Sequence, residues 1–331
     1  MFVVDSLPLA ILFCVITMLG WGSWANTQKL AGKERWPFEL FYWDYAIGVL
    51  LFSILFSHTL GSFGSVGQRA VDNLHAAQNE FVWPALISGA VFNLSNILLV
   101  VAIDAAGMSV AFPVGVGLAL VIGTVQSYIQ EPKGSPALLF GGVACIVIAM
   151  LLSAAAHRRL PASGARSPMR GLIYAGIAGC LMGLFYPQLM RSISPNFAHD
   201  PIQPGMLTPY VALFIFGMGV LFSNLGWNTV FMRNAHLGFR DYFRGSLKLH
   251  AIGVLGGCIW MLALSFNVLA SGVAGPAISY ALGQGATLVA ALWGVVIWRE
   301  FRDAPPGTGK LLALMFASYA LGLFLIAEAT Q

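Results

Sequence analysis

Apolar residues in this chain come in long runs, separated by short polar breaks. About 20 mostly apolar residues are enough to cross a bilayer as a helix. Ten runs reach that length, at about 7–29, 38–59, 82–103, 108–129, 136–156, 171–191, 207–230, 248–268, 273–298 and 309–328. They fill the chain and leave no room for a soluble domain. Inside hydrocarbon, a backbone must satisfy its polar groups within its own segment, which selects helices. The pattern therefore predicts an all-α membrane protein with ten transmembrane helices.

Composition agrees. Of the 331 residues, 58% are hydrophobic and only 9% are charged, where a soluble domain carries about 25% charge. The net charge of +4 points to loop topology rather than to nucleic acid. Fourteen of the 17 Lys and Arg residues fall in the loops after runs 1, 3, 5, 7 and 9, leaving Arg69, Lys133 and Arg191 for the other side. Cytoplasmic loops collect such residues. The expected protein is thus multi-pass in the plasma (inner) membrane, with both termini outside. Met1-Phe2-Val3-Val4-Asp5 lacks the basic region of a signal peptide, so the first run is expected to stay as a helix.

A basic linker, residues 157–170, falls near the middle and separates five runs in 1–156 from five in 171–331. An odd number of helices per half turns the halves over relative to one another, as inverted-repeat transporters require. Val110-Ala111-Phe112-Pro113 and Val273-Ala274-Gly275-Pro276 align in a short internal match, with Thr124 and Thr287 at the same offset. Each match opens the fourth run of its half.

Candidate chemistry is mostly uncharged. Asn93 and Asn96 stand three apart, on one face of the third run, ahead of an expected hairpin at Asp104-Ala105-Ala106-Gly107. An amide in hydrocarbon costs several kcal/mol unless it is paired or faces a wet cavity. Trp24 and Asn26 lie in the first run, Tyr186 in the sixth, Trp260 in the eighth, and Tyr280 and Gln284, four apart, in the ninth. Amides give donors and acceptors, and ring faces stack on planar or sugar-like molecules. These eight residues are the candidate solute contacts; helix-to-helix bonding is the alternative role for each. Asp44, more than a turn into the second run, is the candidate proton-coupling carboxylate; an interfacial pair with Lys29 or Lys33 is the alternative, and the one favoured on sequence.

Cys14, Cys145, Cys180 and Cys258 lie in different runs, without metal-ligand spacing. Gly307-Thr308-Gly309-Lys310 resembles the end of a phosphate loop but lacks the earlier glycine. No Ser/His/Asp set or paired carboxylate shares one membrane depth. Neither an enzyme nor a metal or cofactor site is expected.

Further residues carry a family resemblance: Asp44-Tyr45, Asn93-Leu94-Ser95, Gly107-Met108-Ser109, Val121-Ile122-Gly123-Thr124, Gly142-Val143-Ala144-Cys145, Phe185-Tyr186-Pro187 and Arg299-Glu300-Phe301-Arg302. In this order and spacing the chain resembles the drug/metabolite transporter superfamily. Within it, the resemblance is closest to the ureide permease family, with sugar permeases of the rhamnose-proton symporter type further off. It implies carriage of ureides, nucleobase-like or other small nitrogen-rich solutes. Plant members carry a long cytosolic segment with a phosphate-loop-like motif between the halves. The short linker here departs from that pattern, so nucleotide-linked behaviour is not implied.

The expected function is a secondary transporter for a small neutral polar solute, working by alternating access, with protons and a second copy of the chain as candidate partners besides the bilayer. A sugar permease or a drug/metabolite exporter is the alternative within transport. A membrane scaffold or sensor is the alternative outside it, disfavoured because loops are so short.

Overall fold

The computed structural model describes residues 1–64, 66–160 and 168–330. Linker residues 161–167, Arg166 among them, lie outside the described residues. The elements are helical: α1 (Leu7–Ser23), α2 (Ala25–Lys33), α3 (Phe38–His58), α4 (Ala70–Ala76), α5 (Asn79–Ala106), α6 (Met108–Gln130), α7 (Pro136–His157), α8 (Pro168–Met190), α9 (Pro209–Asn234), α10 (Phe239–Tyr242), α11 (Leu247–Ala274), α12 (Pro276–Gly283), α13 (Ala286–Leu292) and α14 (Thr308–Glu328). A π-helical turn, Trp293–Ile297, continues α13. Among the described residues, ten helical spans, two of them broken, are long and apolar enough to cross a membrane. They coincide with the ten runs. The first span breaks at Trp24, between α1 and α2, and the ninth at Gln284-Gly285, between α12 and α13.

Two compact units divide the chain. Unit 1 comprises Met1–Asn93 and Gln188–Val273; unit 2 comprises Leu94–Pro187 and Ala274–Gln331. Each unit therefore takes segments from both sequence halves, and α5 passes from one unit to the other at Asn93.

In unit 1, α3 lies along α9, and two other crossings are close enough to need glycine. A Cβ on Gly89 of α5 would meet the Phe216 carbonyl oxygen of α9 at 2.2 Å, and one on Gly219 would meet Leu86 O at 2.1 Å. Likewise, a Cβ on Gly257 of α11 would meet Tyr45 O of α3 at 2.0 Å. Any larger residue would push these helices apart, and close backbone approach is how membrane helices gain packing energy. Thr208 caps α9, its hydroxyl accepting from Val211 N, and Pro209 follows where no amide proton is needed.

In unit 2, α14 lies along α7, and α6 packs on both α7 and α12. Ala102, Ala111 and Ala175 form a small buried cluster. Two sharp junctions stand out. α5 and α11 are both 28 residues long. Each ends at one glycine: Gly107 at φ 81°, ψ 155° and Gly275 at φ 84°, ψ 152°. This region of backbone space is essentially closed to residues with a Cβ.

These junctions correct two expectations. The hairpin after α5 is Gly107 alone, because Asp104, Ala105 and Ala106 continue the helix. The internal match also has the wrong register. Pro113 lies inside α6 whereas Pro276 opens α12, so Gly107 and Gly275 are the structurally alike positions. Short sequence identities aligned the prolines; backbone geometry aligns the glycines.

Candidate functional site

Unit 1 holds Trp24, Asn26, Asp44, Asn93 and Trp260 of the candidate residues. Unit 2 holds Asn96, Tyr186, Tyr280 and Gln284. Asn93 and Asn96, expected to act from one helix face, thus fall in different units.

The core of unit 1 is aromatic. Trp260 of α11 stacks on Phe92 of α5, with ring centroids 4.1 Å apart, and on Phe216 of α9 at 5.9 Å. Trp21 stacks on it at 6.0 Å, and Tyr45 lies tilted at 6.5 Å. Trp24, at the break of the first span, packs 4.9 Å from Tyr45. Asn26 donates through Nδ2 to Ser23 O at 2.9 Å, bridging that same break.

A polar layer crosses this aromatic core. Asn93 of α5 is fully buried, and its Nδ2 donates to Ser223 Oγ of α9 at 2.9 Å. Its Oδ1 has no partner among the described residues. Asn224, next to Ser223, is also fully buried, and neither its Nδ2 nor its Oδ1 has a partner among the described residues. On α3, the fully buried Tyr45 hydroxyl is in the same position. Asn224 was not singled out in the sequence, and Tyr45 only as part of the Asp44-Tyr45 motif, although Asn224 and Asn228, four apart in an apolar run, give the same signal as Asn93 and Asn96.

Asp44 stands beside this layer. Its carboxyl, 2% exposed, accepts from the Tyr242 hydroxyl at 2.5 Å. Nδ1 of His250 lies 2.9 Å from Oδ2 and 3.0 Å from Oδ1. An ionised carboxylate can only accept, so Nδ1–H must then point at it. Trp36 meets the His250 ring edge-on at 5.7 Å and Tyr242 does so at 4.7 Å. Leu40, Trp43 and Met232 form the buried cluster against which Trp36, Leu237 and Tyr242 pack. Lys248, two residues before His250, forms an ion pair with Glu34. Burial raises the Tyr242 phenol well above its ordinary value, and the hydrogen bond and charge of Asp44 raise it further. Tyr242 and His250 lie about 200 residues from Asp44 in the chain, so no local spacing could signal the group.

Unit 2 treats its candidates differently. The Tyr280 hydroxyl reaches Ala119 O of α6 at 3.2 Å and Met182 O of α8 at 3.4 Å. It therefore ties three helices together. Its ring faces Tyr186 at 4.9 Å and packs on Gly123. Gln284 lies within hydrogen-bonding reach of the same phenol. Ser95 donates to Ala178 O at 2.7 Å, and Asn96, one residue on, is buried. None of the four cysteines is in a disulfide among the described residues, and no group of three or more metal-ligating side chains occurs among them.

Comparison with known proteins finds similarity to ureide permeases. The family model described as ureide permease matches residues 41–166. Ureide permease 4 of Arabidopsis thaliana is 23% identical, with 98% of each chain covered, and ureide permease 2 of the same plant is 26% identical, with 95% of each covered. A probable ureide permease of Vigna unguiculata is 30% identical over 45% of this chain and 41% of its own. The first of these alignments runs over 399 positions, more than the 331 residues here, so that relative carries inserted segments. One solved crystal structure shares the fold at a TM-score of 0.60 and 17% identity, covering 96% of both chains. The resemblance to the ureide permeases thus extends along nearly the whole chain.

Proposed function

Because this chain is related along its length to the ureide permeases, we propose that it is a transporter, not an enzyme, and that it moves a small, neutral, ureide-like or nucleobase-like solute across the membrane. The observation that carries this reading is the buried amide and phenol layer of unit 1, set in an aromatic core. Uncharged hydrogen-bonding groups in a low-dielectric interior suit an uncharged polar solute, which can replace its lost water with them. A site for organic cations would instead be expected to place an acidic group among these amides; Asp44, the buried acid among the described residues of unit 1, is already held by a phenol and an imidazole.

The transport cycle we infer is alternating access by two related five-helix halves, 1–156 and 171–331, joined by the 157–170 linker. The matching junctions at Gly107 and Gly275 support related halves. So do the pairings of α3 with α9 and of α7 with α14, each of which brings together helices of the same rank in the two halves. Both termini would face outside, as the distribution of Lys and Arg indicates. Asp44 is the proton-coupling group of this scheme. A buried carboxyl in contact with an imidazole sets two proton-carrying groups side by side, between which a proton can pass.

Uptake of labelled allantoin, uracil and a monosaccharide into proteoliposomes, with and without an inward proton gradient, tests the proposal. Saturable uptake of allantoin or uracil is the expected result. Uptake of the monosaccharide alone would favour a sugar permease. Absence of uptake of all three by well-folded protein would sink the reading.

A further inference from the structure

We propose that Asn224 of α9 is a solute-binding amide. In this reading it presents a paired donor and acceptor to the –CO–NH– edge of the solute, in one layer with Tyr45 of α3 and Asn93 of α5. The inference rests on the transport reading above and assigns its specificity to named atoms.

Asn224 lies at the level of this layer. Along α9, Gly217 faces Leu50 and Ser53 of α3, and Asn228 donates to Glu39 O at 2.8 Å. The two helices therefore run in opposite senses. Asn224 is seven residues after Gly217 and four before Asn228, so it lies on the same face. Interpolation sets it opposite about residues 43 and 44 of α3, a depth next to that of Tyr45. On the neighbouring face, Ser223 takes the Asn93 Nδ2 bond, which fixes Asn93 at the same height. Three helices thus bring buried polar atoms to one depth, and aromatic rings flank them.

The polar atoms themselves point to a ligand. A side-chain amide has two donor hydrogens and an acceptor oxygen. Buried polar groups are almost always hydrogen-bonded, and in hydrocarbon an unmet amide is among the most expensive groups a helix can carry. Helix-to-helix bonding is a sufficient account of Tyr280, whose hydroxyl reaches two carbonyls. It does not account for Asn224, where both head atoms lack a partner among the described residues. Nδ2–H and Oδ1 lie side by side in one plane, which matches an N–H and C=O side by side on a planar solute: each pair closes with two parallel hydrogen bonds. Asn93 Oδ1 adds an acceptor for a further N–H, with one of its own amide protons already given to Ser223. Tyr45 Oη adds a donor.

Uptake of labelled allantoin by proteoliposomes tests the assignment, with uracil and 1,3-dimethyluracil as competitors. The dimethyl compound keeps the ring but has no N–H. The expected result for Asn224→Ala, at equal protein per vesicle, is a half-saturating concentration raised about 5- to 150-fold. The preference for uracil over its dimethyl analogue should collapse with it. Asn224→Leu keeps the size but loses both donor and acceptor; it should show the same loss of discrimination, and it serves if the alanine variant does not fold. Unchanged half-saturation and unchanged discrimination in whichever variant folds would overturn the proposal, even if protein abundance falls, because the amide would then be structural. If the wild-type protein takes up neither allantoin nor uracil, the transport reading itself fails, and the wild-type control shows that before any variant is compared.

Discussion

Asp44 shows what a single residue can and cannot do in a membrane interior. A carboxyl this deeply buried needs partners, and Tyr242 and His250 supply them from elements far away in the chain. If this group takes up the coupling proton, Asp44→Asn should abolish gradient-driven accumulation and leave counterflow exchange of solute intact. Undiminished accumulation by the variant at equal expression would exclude the proton role. Tyr242 permits a separate prediction about pH. Its phenol is raised above the ordinary value by burial, then by the bond to Asp44 and its charge. A raised value means the stabilising link is complete below the ordinary tyrosine range and drains away only as pH rises through the folded value. The difference in thermal stability between the wild type and Tyr242→Phe should therefore stay level in its phenol contribution between about pH 5 and 8. It should shrink only in strongly alkaline solution. A slope in that contribution across the neutral range would count against this account.

At the scale of the elements, the glycine junctions carry the most specific expectation. Gly107 and Gly275 hold backbone angles that cost other residues about 1–3 kcal/mol. A Cβ on Gly107 would meet nothing within 4 Å, so Gly107→Ala should measure backbone strain alone. Melting in detergent should show a loss on that order. Gly275→Ala should lose at least as much, because its Cβ would also press on Lys133, 2.9 Å away. Gly141 of α7 is the control: its Cβ would also meet nothing within 4 Å, and as an ordinary helical position it should gain rather than lose on change to Ala, by roughly 0.5–1 kcal/mol. Equal melting of Gly107→Ala and Gly141→Ala would remove the case for a strained junction.

For the whole molecule, the testable feature is topology. In a background without the four native cysteines, Asp200→Cys should react with an impermeant thiol reagent in intact cells, and Arg302→Cys should react only after the membrane is opened. Both side chains are exposed, so access depends on sidedness rather than burial. The reverse pattern would invert the orientation drawn from the Lys and Arg distribution. Truncation at the 157–170 linker offers a check on the units: each compact unit draws on both halves of the chain, so neither half expressed alone should melt cooperatively.

The ten spans were legible in the sequence because each rests on a one-dimensional property. Hydrocarbon thickness sets a length, and backbone satisfaction then sets the helix, so runs such as 136–156 and 248–268 need no tertiary knowledge. The resemblance to the ureide permeases was equally legible, carried by motifs such as Asn93-Leu94-Ser95 in fixed order. Pairing between helices was not. Nothing near Asp44 specifies Tyr242 or His250. Nothing in the run after Pro209 says that Asn224 lacks a partner while Asn93 finds Ser223. Tyr280 and Gln284 shared a face as their spacing indicated, yet the helices crossing near Tyr280 turned its hydroxyl to backbone carbonyls. Hydrophobicity is a property of each residue and accumulates along the chain. Whether a buried polar atom is satisfied depends on which distant helix lies opposite, and only the folded arrangement decides that.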